Sequence, residues 1–349
     1  MAMKKSSQSH YVLKRRGMSL GTVTPHNVLT MPSRETIIQA WKDDGSIVLP
    51  RIVRADIDLN LTFIQKSHAV MEALLNGEEL IEIIEHHGLM DHFDPELSLL
   101  ASSLEEHDEQ GIEKLYFDVE KDQAILAEDL WCKASWLSFH DDDASLRFRF
   151  SFGMEGFEDV AADPLRQYWA GELCTRMFPE SEIITKNGMI LEILHDILGH
   201  PASFVERIVY FNAPNGGAQF HHDVERGHAG VVFAQLSGST FWLSASKPKL
   251  MQAIMDFANL HEVEKGLKDL LQQPDRLSEY MEEQDHELVE RLIDHNPDFI
   301  AYMIEQGFAH FLQTGDVLLL PQRGLDDCVW HSVFCLGDEP GEALSFAVR

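Results

Sequence analysis

The chain has 349 residues, 44% apolar and 25% charged, enough for one large or two medium globular domains with a sizeable core. Its 28 Lys and Arg stand against 58 Asp and Glu, a formal charge of -30, and a field of that sign repels phosphate backbones and anionic lipid. Nucleic acid and membrane surfaces are therefore not expected as partners. A cationic small molecule or a basic protein would be drawn inward, although such acidity also serves solubility alone. Cys132, Cys174, Cys328 and Cys335 show neither CxxC spacing nor a disulfide framework. No apolar run approaches the roughly 20 residues of a membrane span, and a signal peptide's apolar segment is missing. A cytoplasmic protein is expected.

Residues 1–33 are polar and locally basic, with Lys4-Lys5 and Lys14-Arg15-Arg16, and read as a flexible N-terminal arm. Residues 34–349 read as a single domain. Its expected parts are helical support over 34–200, a β core over 207–247 and 311–349, and a helical insertion over 250–306. Apolar spacing predicts a helix from Leu61 to His87. Glu105 to Asp129 reads as a solvated acidic face, and His140-Asp141-Asp142-Asp143 as a turn. Leu146 to Phe152 alternates strictly, so it predicts a half-buried strand with Arg147 and Arg149 on one face. If that face lines a cavity, Arg149 can grip a substrate carboxylate. Helices are predicted from Pro164 to Met177 and from Gly188 to Leu198. The second ends in His195-Asp196-Ile197-Leu198-Gly199-His200, similar to the iron-binding HDxxGH segment of the aromatic amino-acid hydroxylases. Around Thr240-Phe241-Trp242, where those enzymes supply a glutamate, there is no carboxylate, and Gly199 with Pro201 also makes an ordinary helix stop.

Strand signals follow in series from Arg207-Ile208-Val209-Tyr210-Phe211. After a turn comes His221-His222-Asp223. Residues two apart on a strand share a face, so His221 and Asp223 reach one point while His222 turns away. That is two thirds of a 2-His-1-carboxylate triad, which leaves other metal positions open. Val231 to Leu236 and Ser239 to Leu243 form a predicted hairpin about Ser237-Gly238. The stretch 250–306 is helical in period and acidic, an insertion suited to a lid or a homodimer contact. Gly315-Asp316 then launches Val317 to Leu320, Pro321 ends that strand, and the next bears His331, the candidate third ligand. A double-stranded β-helix brings a distant histidine beside an HxD pair in this way. The expected fold class is α+β with a mainly β core: a jelly roll or cupin with N-terminal helices and a helical insertion.

The series HHD, AQLSGSTFWL, TGDVLLLP, WHSV and ALSFAVR resembles the JmjC and cupin-type Fe(II)/2-oxoglutarate-dependent oxygenases. The resemblance implies Fe(II) held by His221, Asp223 and His331, 2-oxoglutarate as co-substrate, and hydroxylation of a C–H bond in a protein side chain or a small metabolite. It departs at Thr240, where JmjC-type members usually carry a lysine for the distal carboxylate of 2-oxoglutarate. Other branches place an arginine on the strand after the distal histidine, which points to Arg349, with Ser345 on the same face and Thr240 assisting. Gln235, Asn212, Tyr210 and Arg149 are candidate substrate contacts, Trp242 a core residue, and His222 and His228 surface or lid residues. The competing readings are a non-catalytic metal-binding cupin scaffold and an aromatic-hydroxylase-like iron enzyme using His195 and His200.

Overall fold

The computed structural model describes residues 10–15, 17–25, 30–104, 112–135, 148–154, 163–225, 227–283 and 285–349. The expectations at Lys4-Lys5, Arg16, His140–Asp143 and Arg147 lie outside them. The described residues form fifteen strands: Tyr11–Arg15 (β1), Met18–Val23 (β2), Ile47–Leu49 (β3), Leu97–Leu104 (β4), Ile112–Lys121 (β5), Ala124–Ser135 (β6), Phe148–Met154 (β7), Phe204–Asn212 (β8), Gly217–His221 (β9), Gly230–Gln235 (β10), Ser239–Ser246 (β11), Ala309–Gln313 (β12), Val317–Pro321 (β13), Val329–Leu336 (β14) and Gly341–Val348 (β15). Apart from the β1-β2 hairpin they make a nine-stranded sheet, β3-β13-β10-β15-β8-β7-β6-β5-β4, and a four-stranded sheet, β12-β11-β14-β9. The molecule is thus a mixed α/β structure with a large antiparallel sheet, consistent with a jelly roll.

Period-2 patterning decides what each sheet face meets. On β15, Leu344, Phe346 and Val348 turn to a core shared with the N-terminal helices, among them Ile64, Val70, Phe178 and Ile193. The alternate residues Ser345 and Ala347 face a cavity. On β14, Trp330 and Phe334 turn to a second core built with the helices between β11 and β12, and His331 and Val333 face the same cavity from the other side. A smaller cluster containing Val231, Phe233, Trp242, Leu318 and Val333 closes the space between the sheets. Burial on both outer faces explains the near-continuous apolar strands β13 and β14.

The helices obey their end signals. Ser33 caps Arg34–Lys42, Asp163 caps Pro164–Met177 and Asn187 caps Gly188–Leu198, each accepting from backbone N–H groups of the first turn. The segment between β11 and β12 is indeed helical, running from Lys247–Leu260 to Pro297–Glu305. Among the described residues no helix is long and apolar enough to cross a membrane.

The structure differs from the sequence expectation in several places. The helical support expected over 34–200 also carries β3 to β7, of which β4 to β7 extend the large sheet. The expected solvated face at Glu105 to Asp129 buries Leu115, Phe117 and Val119. The helix predicted from Leu61 to His87 is two helices, Arg54–Leu75 and Leu80–His86. Gly77, with φ of 88°, breaks the run. The stretch expected to be a flexible arm contains the β1-β2 hairpin, whose Leu13 and Leu20 are buried in the second core. Its Arg15 is buried too, with an ion pair of 2.5 Å to Asp294 and a donated bond to Ser332 Oγ. Basicity suggested a solvated arm; burial of the alternate apolar residues, and a carboxylate waiting for Arg15, made it structure.

Candidate metal centre

The cavity between the sheets measures about 130 Å³. On its small-sheet wall, His331 of β14 pairs directly with His221 of β9 in the antiparallel register. Such directly opposed residues stand close on one face, and their ring centroids are 4.3 Å apart. Close strand approach here depends on Gly217, whose φ is 148°; a Cβ on it would lie 2.0 Å from the Val333 carbonyl oxygen. Asp223 lies just past the end of β9 and turns back beneath the two rings. Its Oδ1 is 3.6 Å from His221 Nε2 and its Oδ2 is 3.5 Å from His331 Nε2.

The rings are oriented by the backbone. His221 Nδ1 is 2.7 Å from the Gln219 carbonyl oxygen, and His331 Nδ1 is 3.5 Å from that of Val329. An Nδ1–H donating to a carbonyl leaves the Nε2 lone pair free, and both Nε2 atoms face Asp223. Burial, with the neighbouring His221, pushes the His331 imidazole down to about 3, so it is neutral at physiological pH, as a metal ligand must be. Trp242 stacks on His331 at 5.2 Å and Val333 lies alongside, shielding the inner ring from water. His221 and Asp223 keep side-chain exposures of 41% and 37%, so the centre opens on one side.

Behind the histidine strands lies a buried support. Asp294, from the helical segment, accepts from Arg15 and, at 2.9 Å, from the Phe220 N–H next to His221. His222, expected at the surface or on a lid, is turned away from the centre as predicted. Its Nε2 is 2.9 Å from Glu282, which also holds Lys247 at 2.6 Å, so the helical segment grips the strand that carries His221.

The opposite wall is the large sheet, which contributes Glu206, Ile208 and Tyr210 of β8, Ser345 and Ala347 of β15, and Arg149 of β7. Arg149 pairs in register with Tyr210. Burial pushes the Tyr210 phenol up to about 12, against the pull of the Arg149 guanidinium that bonds to it. Burial and the nearby Glu225 and Asp223 push Glu206 up to about 7.

The structure redistributes the remaining sequence-predicted residues. Arg149, Tyr210 and Ser345 line the cavity; Arg349, Thr240, Gln235 and Asn212 do not. Thr240 is fully buried, donating to Gln235 Oε1 at 2.8 Å and accepting from Trp242 Nε1 at 2.9 Å. Gln235 is spent on Thr240 and on the Ser237 carbonyl. Arg349 follows β15 with its backbone paired to Ser203. Asn212 is buried at the far end of β8. Parity had put Arg349 and Asn212 on the right face, but each lies beyond the cavity's length. His195 and His200 are exposed at the end of Gly188–Leu198, where Gly199, with φ of 79°, stops the helix. The structure thus gives that string the helix-stop role. Missed from the sequence were Glu206, Glu225 and His228, which form a second group of donor atoms in this cavity. The alternation of Glu206, Ile208 and Tyr210 was the available signal for the first. His228, assigned to the surface, is only 7% exposed.

No family model matches the chain, and no curated protein matches it either. Solved structures similar to it include an oxidoreductase of the 2OG-Fe(II) oxygenase family from Burkholderia pseudomallei, 8% identical over 93% of this chain and 94% of that one, with a TM-score of 0.33. Another is the Escherichia coli ribosomal oxygenase YcfD, 13% identical over 69% of this chain, with a TM-score of 0.28. The match spans 41% of the YcfD chain. Identities and TM-scores this low transfer no residue role to this chain.

Proposed function

We propose that the chain is a non-haem Fe(II)/2-oxoglutarate-dependent dioxygenase that hydroxylates a C–H bond of a protein side chain or a small metabolite. One observation carries this reading: two Nε2 atoms and a carboxylate converge on one point, with both Nδ1 atoms held by backbone carbonyls. The strand orders support naming the fold a double-stranded β-helix, because β8, β15, β10 and β13 oppose β9, β14, β11 and β12 across the cavity. Two imidazoles and one carboxylate fit Fe(II), and leave it exchangeable positions.

His221, Asp223 and His331 would hold the metal. Iron and 2-oxoglutarate, when bound, would activate dioxygen, the oxidant that removes a hydrogen from an unactivated C–H bond, with 2-oxoglutarate supplying two electrons as it becomes succinate and CO2. The chain's own residues bind and orient. Arg149, seated beside Tyr210 on the facing wall, is the cation available to the distal carboxylate of 2-oxoglutarate, the role first considered for Arg349. Ser345 and the Tyr210 hydroxyl add hydrogen bonds to the same anion. Trp242, Val333 and Leu320 keep that side of the cavity dry, and the open side at His221 and Asp223 admits substrate.

The test is iron-dependent release of succinate from 2-oxoglutarate with purified protein. Asp223→Ala and His331→Ala should each abolish it and weaken Fe(II) binding by more than the roughly 100-fold that an outer partner costs. Undiminished iron binding in both variants would sink the assignment and favour a non-catalytic scaffold.

A further inference from the structure

A second cluster in the cavity shares no residue with the first. Glu206, on β8 of the large sheet, meets Glu225 and His228, both on the connection from β9 to β10, with one donor atom from each within 4.8 Å of the others. His228 is the informative member. Its ring is buried, it has no side-chain hydrogen-bond partner among the described residues, and the backbone of Asp223 is the polar group that meets it, which leaves one ring nitrogen unsatisfied. A buried ring nitrogen left without a partner is uncommon in a folded protein. Here the ring offers an acceptor to the same point that two carboxylates approach.

We propose that Glu206, Glu225 and His228 form a second divalent-metal site, which takes a transition ion such as Mn(II), Fe(II) or Zn(II). The donor set is one imidazole and two carboxylates, which suits these ions and disfavours the all-oxygen preference of Ca(II) or Mg(II). Ligands each about 2.1 Å from a common ion stand at most roughly 4.2 Å apart, so a small rotation of the side chains closes the set. A bound ion would satisfy one His228 nitrogen and neutralise the facing carboxylates. It would also tie the β9–β10 connection, which carries Asp223, to the large sheet, and so brace the third donor of the first centre across the cavity. The site stands on its own geometry and does not depend on the dioxygenase reading.

The experiment is a titration of metal-stripped full-length protein with Mn(II) alone, reading free Mn(II) by electron paramagnetic resonance. The wild type should bind two ions, and Asp223→Ala should lower that count by one. Glu225→Gln should weaken the second ion at least tenfold, and His228→Asn likewise. Glu225 is exposed, so its variant folds independently of any packing role; a circular-dichroism melt checks the buried His228 variant. An ion count and affinity that neither Glu225→Gln nor His228→Asn lowers overturns the second site. The dioxygenase reading fails separately, by a count that Asp223→Ala leaves unchanged.

Discussion

The two walls of the cavity rest on supports of opposite electrostatic character. Behind the small-sheet wall, on the face of β14 that carries Phe334, Arg15 and Asp294 form a buried pair in which opposite charges meet. The Arg15 guanidinium also lies 4.3 Å over the Phe334 ring. Behind the large-sheet wall, on the face of β15 that carries Leu344 and Phe346, two acids are buried together. Glu342 is fully enclosed, its burial and then its repulsion from Glu180 pushing its carboxyl well above the ordinary value. Glu180, also enclosed, is raised by burial even though Ser67 donates to it, and His68 Nε2 stands 3.5 Å from Glu342. The wall with the candidate metal donors is braced by compensated charge and the other carries uncompensated acid. Removing a partner should therefore have opposite signs on the two sides.

The largest effect belongs to the compensated side. Asp294→Ala strands a buried guanidinium and frees the Phe220 N–H. The expected loss is about 3–5 kcal/mol of unfolding free energy, read by urea denaturation, and metal affinity should fall with it because β9 loses its anchor. An unchanged midpoint would show that the small sheet holds its histidines without this brace. Next comes the cavity surface itself. Arg149→Ala removes a charge-assisted hydrogen-bond donor and should raise the KM for 2-oxoglutarate roughly 10- to 100-fold, with Arg149→Lys between. Arg349→Ala should stay within about twofold, as expected away from the site. The reverse ranking would return the anion to the end of β15.

The smallest effect, and one of opposite sign, belongs to the acid pair. Glu180 and Glu342 have an ordinary value of 4.5, and both are raised in the fold. The native state therefore binds their protons more tightly than the unfolded chain. Their contribution is most favourable below that ordinary value and is lost as pH rises through the raised values. Glu342→Gln should remove the Glu342 share of this decline. It should lift the melting temperature by a few degrees at about pH 9 and leave it nearly unchanged at about pH 4. A destabilised variant at alkaline pH would mean that the pair is held together by something other than a shared proton.

The sequence disclosed the donor side of the site more fully than its surroundings. The HxD spacing pointed to His221 and Asp223, although Asp223 falls just past the end of β9 and reaches His221 by turning back rather than by strand parity. His331 follows a strand with clear start and stop residues. The facing wall was half visible. Parity found Arg149, Tyr210 and Ser345 yet also admitted Arg349 and Asn212, because period 2 fixes a face but not where along the strand a cavity ends. Thr240 was misread for a related reason. Its departure from the family pattern suggested a ligand contact, whereas its hydroxyl is committed to Gln235 and Trp242. Arg15, Asp294, Glu180 and Glu342 gave no local signal, since each owes its burial to a partner far away in sequence. His228 looked like a surface residue because loops are usually exposed.

The strand order also constrains how the molecule assembles. β15 lies between β10 and β8, although both precede it in sequence and the whole helical segment intervenes. As synthesis proceeds, β8 and β10 must wait with open edges until the chain has built its helices and come back. The large sheet therefore closes by insertion, a high-contact-order step that is slow and exposes unpaired edges to other chains. The histidines follow the same schedule, because His221 meets His331 only after that return. A metal held by these residues would therefore load late in folding, and adding it to a refolding mixture should mainly slow unfolding rather than speed the search.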